Sequence, residues 1–302
     1  MERGINTRCL HLEETEGKTD NYGALTFPIY QTATYAHPAV GQSTGYDYSR
    51  LQNPTREHLE KVVASLEGGI DALALSTGIA AITLMMELFK PGDHLIVESD
   101  LYGGSIRLFN NVSEKNGIEF SRVACSNEDV ESHVKDNTKA IYIETPTNPM
   151  MNVTDIGALA GIAKRHGLLL IVDNTFLSPY FQNPLKLGAD IVIHSGTKYL
   201  GGHNDTLAGF IVTNNEEISE KLRFLIKTTG AGLSPFDSFL LERGIKTLGI
   251  RMERAQENAF ALAEWLKKQD VVTKVIYPGL PEHPGHEIMK KQAGGFGSML
   301  TF

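Results

Sequence analysis

The chain has 302 residues, of which 41% are hydrophobic and 21% are charged, and its formal net charge is −8. This composition is ordinary for a globular protein, and the acidic balance argues against a surface for nucleic acid or anionic membranes, which would be basic. No stretch approaches the roughly 20 apolar residues of a membrane-spanning helix, and the acidic segment 1–20 lacks the features of a signal peptide. We therefore expect a cytoplasmic protein with no nucleic-acid or membrane partner, in which Cys9 and Cys125 are reduced thiols.

The predicted elements alternate between strands and helices along the chain. Residues 1–54 are rich in Thr, Tyr, Gly and Pro and have no strong period, which predicts an extended N-terminal arm. Short apolar, β-branched runs predict strands at residues 72–76, 94–98, 119–124, 139–144, 168–173, 190–194 and 208–213. Longer segments of helical period predict helices at residues 54–66, 78–89, 104–116, 154–166 and 216–227.

This alternation predicts an α/β fold with a mostly parallel central sheet wrapped by helices. The run 168–172 is apolar at every position, as in strands that are covered on both faces. A long helical pattern at residues 235–267 and a Tyr-Pro-Gly-Leu-Pro break at 277–281 predict a second, smaller domain, and residues 298–302 look like a strand. Because the sequence stops within that strand pattern, we expect this domain to be incomplete. The predicted division is an arm at 1–54, a large domain at 55–245 and the start of a small domain at 246–302.

The strongest local signal is the segment 190–203, in which a strand pattern is followed at once by a lysine and a glycine turn. Ligands of open α/β sheets bind beyond the carboxyl ends of the strands, which is where Lys198 falls. A lysine held there among partly desolvated groups can lose its proton and attack a carbonyl carbon. Ser195 and Thr197 could hydrogen-bond a phosphate beside it. Taken alone, the pattern also fits a surface lysine after a strand.

Three other strand ends carry residues that suit a flat, phosphorylated ligand. Asp173 ends an apolar run, where a carboxylate needs a partner such as a protonated pyridine nitrogen. The turn at Gly78 and Ile79 leads into a helix, and the free N–H groups of a helix N-terminus attract phosphate. Tyr102 follows another strand and could lie over a ring. Each feature alone also fits an ordinary loop cap, tight turn or core tyrosine, but the set is hard to explain by packing.

Short motifs spread along the chain point to one family. They lie at residues 46–50, 53–56, 66–69, 102–104, 144–149, 172–176, 195–203, 243–248 and 277–280. Together they resemble the Cys/Met-metabolism family of pyridoxal 5′-phosphate (PLP) enzymes nearly from end to end. This family includes cystathionine γ-synthase, cystathionine β- and γ-lyases, methionine γ-lyase and O-acetylhomoserine sulfhydrylase. The segment 195–203, Ser-Gly-Thr-Lys-Tyr-Leu-Gly-Gly-His, is the most specific of the motifs.

The resemblance implies a fold-type-I PLP-dependent transferase fold with PLP as its cofactor. In it, Lys198 carries the cofactor and then moves protons, Asp173 pairs with the pyridine nitrogen, and Tyr102 stacks on the ring and assists the leaving group. Asn148 would contact the phenolic oxygen of the ring, and Gly78 and its neighbours would hold the phosphate. The full set of implied cofactor-binding residues is Lys198, Asp173, Gly78, Ile79, Tyr102, Asn148, Thr175, Ser195, Thr197, Tyr48 and Arg50.

The resemblance also implies a partner subunit and a small-molecule amino-acid substrate. Tyr48 and Arg50 would reach the phosphate of a neighbouring subunit, so the active sites would be shared across a dimer interface in a homotetramer. The family holds the substrate carboxylate with an arginine of the C-terminal domain. Arg243, Arg251 and Arg254 do not fall in that motif, so we expect the carboxylate arginine beyond Phe302.

The implied function is a trans-sulfuration enzyme that cleaves or forms C–S bonds of sulfur amino acids. A cystathionine β- or γ-lyase is the first choice, and cystathionine γ-synthase or O-acetylhomoserine sulfhydrylase is the alternative. Gly104 stands where methionine γ-lyases usually carry cysteine, which ranks that activity lower. A catalytically silent protein of the same fold also stays open, whereas a nicotinamide enzyme is disfavoured because no Gly-x-Gly-x-x-Gly occurs. His283 and His286 form a lone pair in a Pro/Gly turn, so no metal is expected.

Overall fold

A seven-stranded sheet with the order β1-β7-β6-β5-β4-β2-β3 forms the centre of the computed structural model, which describes residues 3–11, 24–126 and 129–302. From β6 to β3 all neighbouring strands are parallel, whereas β7 is antiparallel to both β1 and β6. The seven predicted strands are confirmed, each end to within one residue. The strands are β1 (Asp71–Leu75), β2 (His94–Glu98), β3 (Glu119–Val123), β4 (Thr138–Glu144), β5 (Leu169–Asp173), β6 (Ile191–Ser195) and β7 (Gly209–Thr213).

The helices begin where the sequence places good caps. The Asn53 side chain accepts a hydrogen bond from the Thr55 N–H at 3.0 Å, and Asp155 accepts one from the Ala158 N–H at 2.9 Å. The described helices are α1 (Ile5–Leu10), α2 (Pro54–Glu67), α3 (Gly78–Met86), α4 (Gly103–Leu108), α5 (Ile156–His166), α6 (Ser178–Phe181), α7 (Glu216–Thr229), α8 (Pro235–Ile245), α9 (Leu248–Leu266) and α10 (His286–Gln292). A π-helical turn, Phe109–Ser113, extends α4, so the helix predicted at 104–116 forms as two joined segments.

Two predictions near the C-terminal end are wrong. The helical pattern at 235–267 forms two helices rather than one, because Thr247 leaves the helical conformation (φ −109°, ψ 10°) and its N–H bonds the Gly244 carbonyl. Residues 298–302 form no strand; they make a single bridge between Thr301 and Ile276, with N···O distances of 2.7 and 3.0 Å. None of these five residues is buried, and Met299 and Phe302 are 38% and 71% exposed.

Side chains of the strands pack into two apolar cores, one on either face of the sheet. Along β5, Leu170 and Val172 pack on the face covered by α2, α5 and α8, and Ile171 packs on the face covered by α3 and α7. Because both faces are buried, the run needs no polar alternation, as predicted for a sheet wrapped by helices. Among the described residues, no helix has the length and apolar character that crossing a membrane would require.

The N-terminal arm and the C-terminal part differ from this central layer. The predicted extended arm is wrong for residues 5–10, which form α1 and place Cys9 in the core. Residues 24–53 have only isolated bridges as β-structure, and Leu25 and Val40 are fully exposed. Arm residues 1–2 and 12–23 lie outside the described ranges. Near the other end, Ala263, Tyr277 and Leu280 belong to a small apolar cluster of their own. The division into three domains stays a prediction.

Candidate cofactor site

A cavity of about 630 Å³ lies at the carboxyl ends of β4, β5 and β6, beside the N-terminus of α3. Nine of the eleven predicted cofactor-binding residues line it. These nine are Lys198, Asp173, Gly78, Ile79, Tyr102, Asn148, Thr175, Ser195 and Thr197. Their convergence follows from the parallel strands, which deliver successive strand ends to the same edge of the sheet.

One end of the cavity has the chemistry of a phosphate site. The Thr77 hydroxyl caps α3 by accepting from the Ala80 N–H at 2.9 Å. The N–H groups of Gly78 and Ile79, in the first turn, have no carbonyl one turn earlier to bond. A Cβ on Gly78 would lie only 3.0 Å from the Cβ of Ser195, so glycine lets the helix N-terminus approach β6 closely. Free N–H groups and the helix dipole both favour an anion here.

Asp173 supplies a buried carboxylate at the centre of the cavity. The residue is 8% exposed, and its Oδ1 accepts from the N–H and the hydroxyl of Thr175 at 3.1 and 2.6 Å. The Thr175 hydroxyl oxygen also accepts from the Ser195 N–H at 2.8 Å, which ties the end of β5 to the end of β6. Burial raises the pKa of Asp173, and the bonds from Thr175 oppose that rise. A cation beside this carboxylate would restore its ionised form.

Glu144 is a second buried carboxylate in the cavity, and our sequence reasoning did not assign it to the site. It ends β4, directly beside Asp173 in the register of the sheet, and is 5% exposed. Its Oε2 accepts from the Tyr102 N–H at 2.8 Å. Burial, and then the charge of Asp173, raise the pKa of Glu144 well above its usual range. The signal was the one used for Asp173, an apolar strand that ends in a carboxylate.

Lys198 lies in a tight turn directly after β6. Its N–H donates to the Ser195 carbonyl at 3.2 Å, and its carbonyl accepts from the Gly202 N–H at 2.8 Å. The side chain is exposed and lines the cavity, so the single chain alone does not provide the desolvation that the sequence suggested. The turn therefore presents the amine to whatever occupies the cavity.

Arg251 also lines the cavity and was not predicted to do so. Its Nη1 donates to the Tyr199 carbonyl at 2.7 Å and its Nη2 to the Gly244 carbonyl at 2.8 Å, and its Nε donates to the Thr247 hydroxyl at 3.1 Å. A Cβ on Gly202 would lie 2.1 Å from Nη1, so glycine is needed for this packing. Arg251 thus joins the turn after Lys198 to the start of α9. No local pattern in the sequence signals a contact between residues so far apart.

Tyr102 stands at the N-terminus of α4 and is 46% exposed at the mouth of the cavity. Its ring lies against Gly104, where a Cβ would be 2.3 Å from Cε1 of the tyrosine. Glycine at 104 therefore permits this ring position, and a cysteine there would displace the ring. Asn148, from the loop after β4, lines the same cavity.

Tyr48 and Arg50 lie outside the cavity of their own chain. The Arg50 guanidinium stacks over the Tyr48 ring with its Cζ 5.3 Å from the ring centre, and it donates a hydrogen bond to the Lys227 carbonyl. Tyr48 is 40% exposed on the arm. Their role in a neighbouring subunit stays a prediction.

His283, His286, Cys9 and Cys125 do not line this cavity. No group of three or more His, Cys, Asp or Glu residues within the described ranges is placed to hold a metal ion. His283 accepts from the Gly285 N–H at 3.0 Å, and the Nδ1 of His286 donates to the Pro278 carbonyl at 2.9 Å. Cys9 and Cys125 are buried thiols, and burial raises the pKa of Cys9 to about 11.

The residues present fit PLP. The first turn of α3 suits its phosphate, a buried carboxylate without a lysine or arginine partner among the described residues suits its pyridinium, and Lys198 can reach an aldehyde. A mostly parallel sheet that gathers these groups at its carboxyl edge defines a fold-type-I PLP-dependent enzyme.

Comparisons with known proteins agree with this class. A family model described as Cys/Met metabolism PLP-dependent enzyme matches residues 6–302. The chain is 53% identical over 281 residues to cystathionine gamma-lyase of Bacillus subtilis (strain 168), covering 93% of this chain and 74% of that protein. It is 50% identical over 299 residues to cystathionine beta-lyase of Lactococcus lactis subsp. cremoris (strain MG1363), covering 99% and 78%.

A solved structure gives the same answer for the fold. The crystal structure of cystathionine gamma-lyase from Lactobacillus plantarum complexed with L-serine matches with a TM-score of 0.95 and 44% identity, covering 99% of this chain and 78% of that one. The chain therefore belongs to the Cys/Met metabolism family of PLP-dependent enzymes. The predicted fold, cofactor and enzyme class are confirmed, and an amino-acid substrate is consistent with the family.

The two buried carboxylates predict how the cofactor-free protein responds to pH. Because the folded state raises the pKa of Asp173 and Glu144, it favours their protonated forms. Their contribution to stability is therefore greatest below about pH 4, where the unfolded carboxyls are also protonated, and it is lost as the pH rises. We expect the Asp173→Asn, Glu144→Gln double variant to gain stability over the unmodified protein as the pH rises. Urea unfolding of both cofactor-free proteins across pH tests this, and a constant difference between them would contradict it.

Proposed function

We propose that this chain is a cystathionine lyase that cleaves a C–S bond of cystathionine, by β- or γ-elimination. The observation that carries the proposal is the convergence of Lys198, Asp173 and Tyr102 on one cavity of a chain that belongs to this family. The names of the relatives, which include both a gamma-lyase and a beta-lyase, support a lyase without choosing between the two bonds.

The mechanism assigns a task to each of these side chains. Bound PLP supplies an electron sink for the pair left when the substrate Cα loses a proton. Lys198 Nζ takes that proton and is placed to return it, because the turn after β6 presents its amine to the cavity. The Asp173 carboxylate keeps the pyridine nitrogen protonated, and the Thr175 donors hold that carboxylate in place. Tyr102, at the mouth of the cavity, would cover the ring and assist the departing thiolate.

The remaining predicted contacts concern how the cofactor is held. The N–H groups of Gly78 and Ile79, with Ser195 and Thr197, would bind the phosphate. Thr197 also exchanges hydrogen bonds with the backbone of residue 208, at 3.1 and 3.3 Å, so its hydroxyl is already fixed in position. Asn148 would contact the phenolic oxygen.

The active sites are completed, in this proposal, by a second subunit. Tyr48 and Arg50 lie on an exposed arm outside the cavity of their own chain, and this position supports a role at the phosphate of a neighbour. Fully exposed Leu25 and Val40 on the same arm would be covered by such a contact. Two such dimers would form a homotetramer, and the proposed location is the cytoplasm.

Product analysis tests the function and chooses between the two bonds. Incubation with L-cystathionine is expected to give pyruvate, homocysteine and ammonia if the chain is a β-lyase, or 2-oxobutyrate, cysteine and ammonia if it is a γ-lyase. The alternative, cystathionine γ-synthase or O-acetylhomoserine sulfhydrylase, predicts instead that an O-acylated homoserine is consumed in the presence of a thiol. Methionine γ-lyase ranks lower because of Gly104. A chain that binds PLP and turns over none of these substrates would be catalytically silent, and the proposal would be wrong.

A further inference from the structure

Glu144 and Asp173 are neighbours at the carboxyl edge of the sheet. They end β4 and β5 and are paired in the register of these parallel strands. Both are almost fully buried, with 5% and 8% of their surface exposed, and both line the cofactor cavity. Paired residues of parallel strands point to the same face, so the two carboxyl groups share one environment.

That environment is acidic and short of positive charge. Glu98, which is 1% exposed, and Asp100 lie at the end of the adjacent β2, and the buried Tyr142 hydroxyl comes from β4 itself. No lysine or arginine of the described residues forms an ion pair with Glu144. The cofactor brings one cation to this edge, the pyridinium. Two ionised carboxylates beside a single cation would leave one buried charge without compensation, which is strongly unfavourable.

The hydrogen bonds decide which group is ionised. Asp173 accepts three bonds, from the N–H and the hydroxyl of Thr175 and, at 3.5 Å, from the Tyr142 hydroxyl, whereas Glu144 accepts one, from the Tyr102 N–H. Donors favour the charged form of a carboxyl group, so Asp173 is the better anion. On the opposite face of the sheet, His194 forms a buried pair with Glu67. Positive charge on His194 also favours the ionised form of Asp173.

We propose that Glu144 is a neutral carboxylic acid in the working enzyme and acts as a positioning residue for Tyr102. The inference rests on the proposed function, because it requires bound PLP to ionise Asp173. The side-chain Oε2 of Glu144 accepts a hydrogen bond from the Tyr102 N–H at 2.8 Å, and Gly104 leaves room for the Tyr102 ring. A neutral acid gives this support without adding a second anion that would compete with Asp173 for the pyridinium.

The test compares Glu144→Gln with Glu144→Leu and Asp173→Asn in the PLP-loaded protein. Glutamine keeps a neutral carbonyl acceptor, so kcat and KM are expected to stay within about threefold of the parent values. The pH dependence of the cofactor absorbance is expected to be unshifted. Leucine leaves the Tyr102 amide without this acceptor, so kcat is expected to fall about tenfold to a hundredfold. Asp173→Asn is expected to lose activity and to shift the absorbance profile. If Glu144→Gln behaves like Asp173→Asn, Glu144 must be ionised and the proposal is wrong.

A second measurement does not depend on turnover or on the leucine variant folding. Infrared difference spectra of the parent and Glu144→Gln, at neutral pH, should show the carbonyl stretch of a protonated carboxylic acid in the parent that is missing from the variant. A carboxylate band in its place would overturn the inference. Reduction with borohydride and mass analysis at Lys198 reports separately whether PLP is bound. Failure of that step, or of cystathionine cleavage by the parent, would count against the proposed function instead.

Discussion

Replacing Lys198 with alanine is expected to reduce cystathionine cleavage by about a thousandfold or more. The substitution removes both the group that bonds the cofactor and the base that takes the Cα proton, and a positioned base alone contributes roughly 10²–10⁴-fold. The chain fold should survive, because the side chain is exposed and the turn is held by backbone bonds from residues 195 to 202. Initial rates of keto-acid formation, with PLP in excess, measure the loss.

Two controls separate a chemical loss from a structural one. Lys221→Ala removes a lysine on the exposed face of α7 whose ion-pair partner among the described residues is Glu217 at 2.7 Å, so its activity should stay unchanged. A small primary amine in solution should restore part of the Lys198→Ala activity, since it can take up the missing proton-transfer role. Retained activity in Lys198→Ala, or attachment of reduced cofactor to another lysine, would show that Lys198 is not the cofactor lysine.

The parts of the site that were predictable are those marked by strand ends. An apolar run that stops at a polar residue locates both the end of a strand and the edge of the sheet, so Asp173 and Lys198 could be placed together without coordinates. Glu144 carries the same mark, because it too is a carboxylate that ends an apolar strand. The fold followed from the same runs, since uninterrupted apolar strands require cover on both faces.

Arg251 shows what a linear pattern does not contain. Its position in the site depends on α9 packing against the turn after β6, and on the absence of a side chain at Gly202, which are tertiary facts. The division between α8 and α9 was hidden for a related reason. Helical period continues across Thr247, and the interruption is a backbone conformation that any residue there could adopt.

Replacing Asp173 with asparagine is expected to lower activity by roughly a hundredfold to several thousandfold while leaving the cofactor-free protein at least as stable as the parent. Loss of one partner of a buried charge pair costs about 3–5 kcal/mol. An increase of this size in the activation free energy slows a reaction by roughly a hundredfold to several thousandfold. Asparagine has nearly the same shape, and its carbonyl oxygen can still accept both Thr175 donors. Because burial raises the pKa of Asp173, ionising it destabilises the empty folded protein above about pH 4, and the neutral amide removes that penalty.

Stability of the cofactor-free protein and activity with PLP are expected to change in opposite directions only if the Asp173 carboxylate serves to bind the cofactor. Thermal unfolding of cofactor-free parent and Asp173→Asn at pH 7 gives the first readout, and kcat with PLP in excess gives the second. Thr175→Val is the matched variant: it leaves the carboxylate in place but removes the hydroxyl donor at 2.6 Å and the acceptor for the Ser195 N–H, so it should lower both stability and activity. An asparagine variant that is less stable and fully active would mean that Asp173 serves the fold, and the pyridinium would then need a different partner.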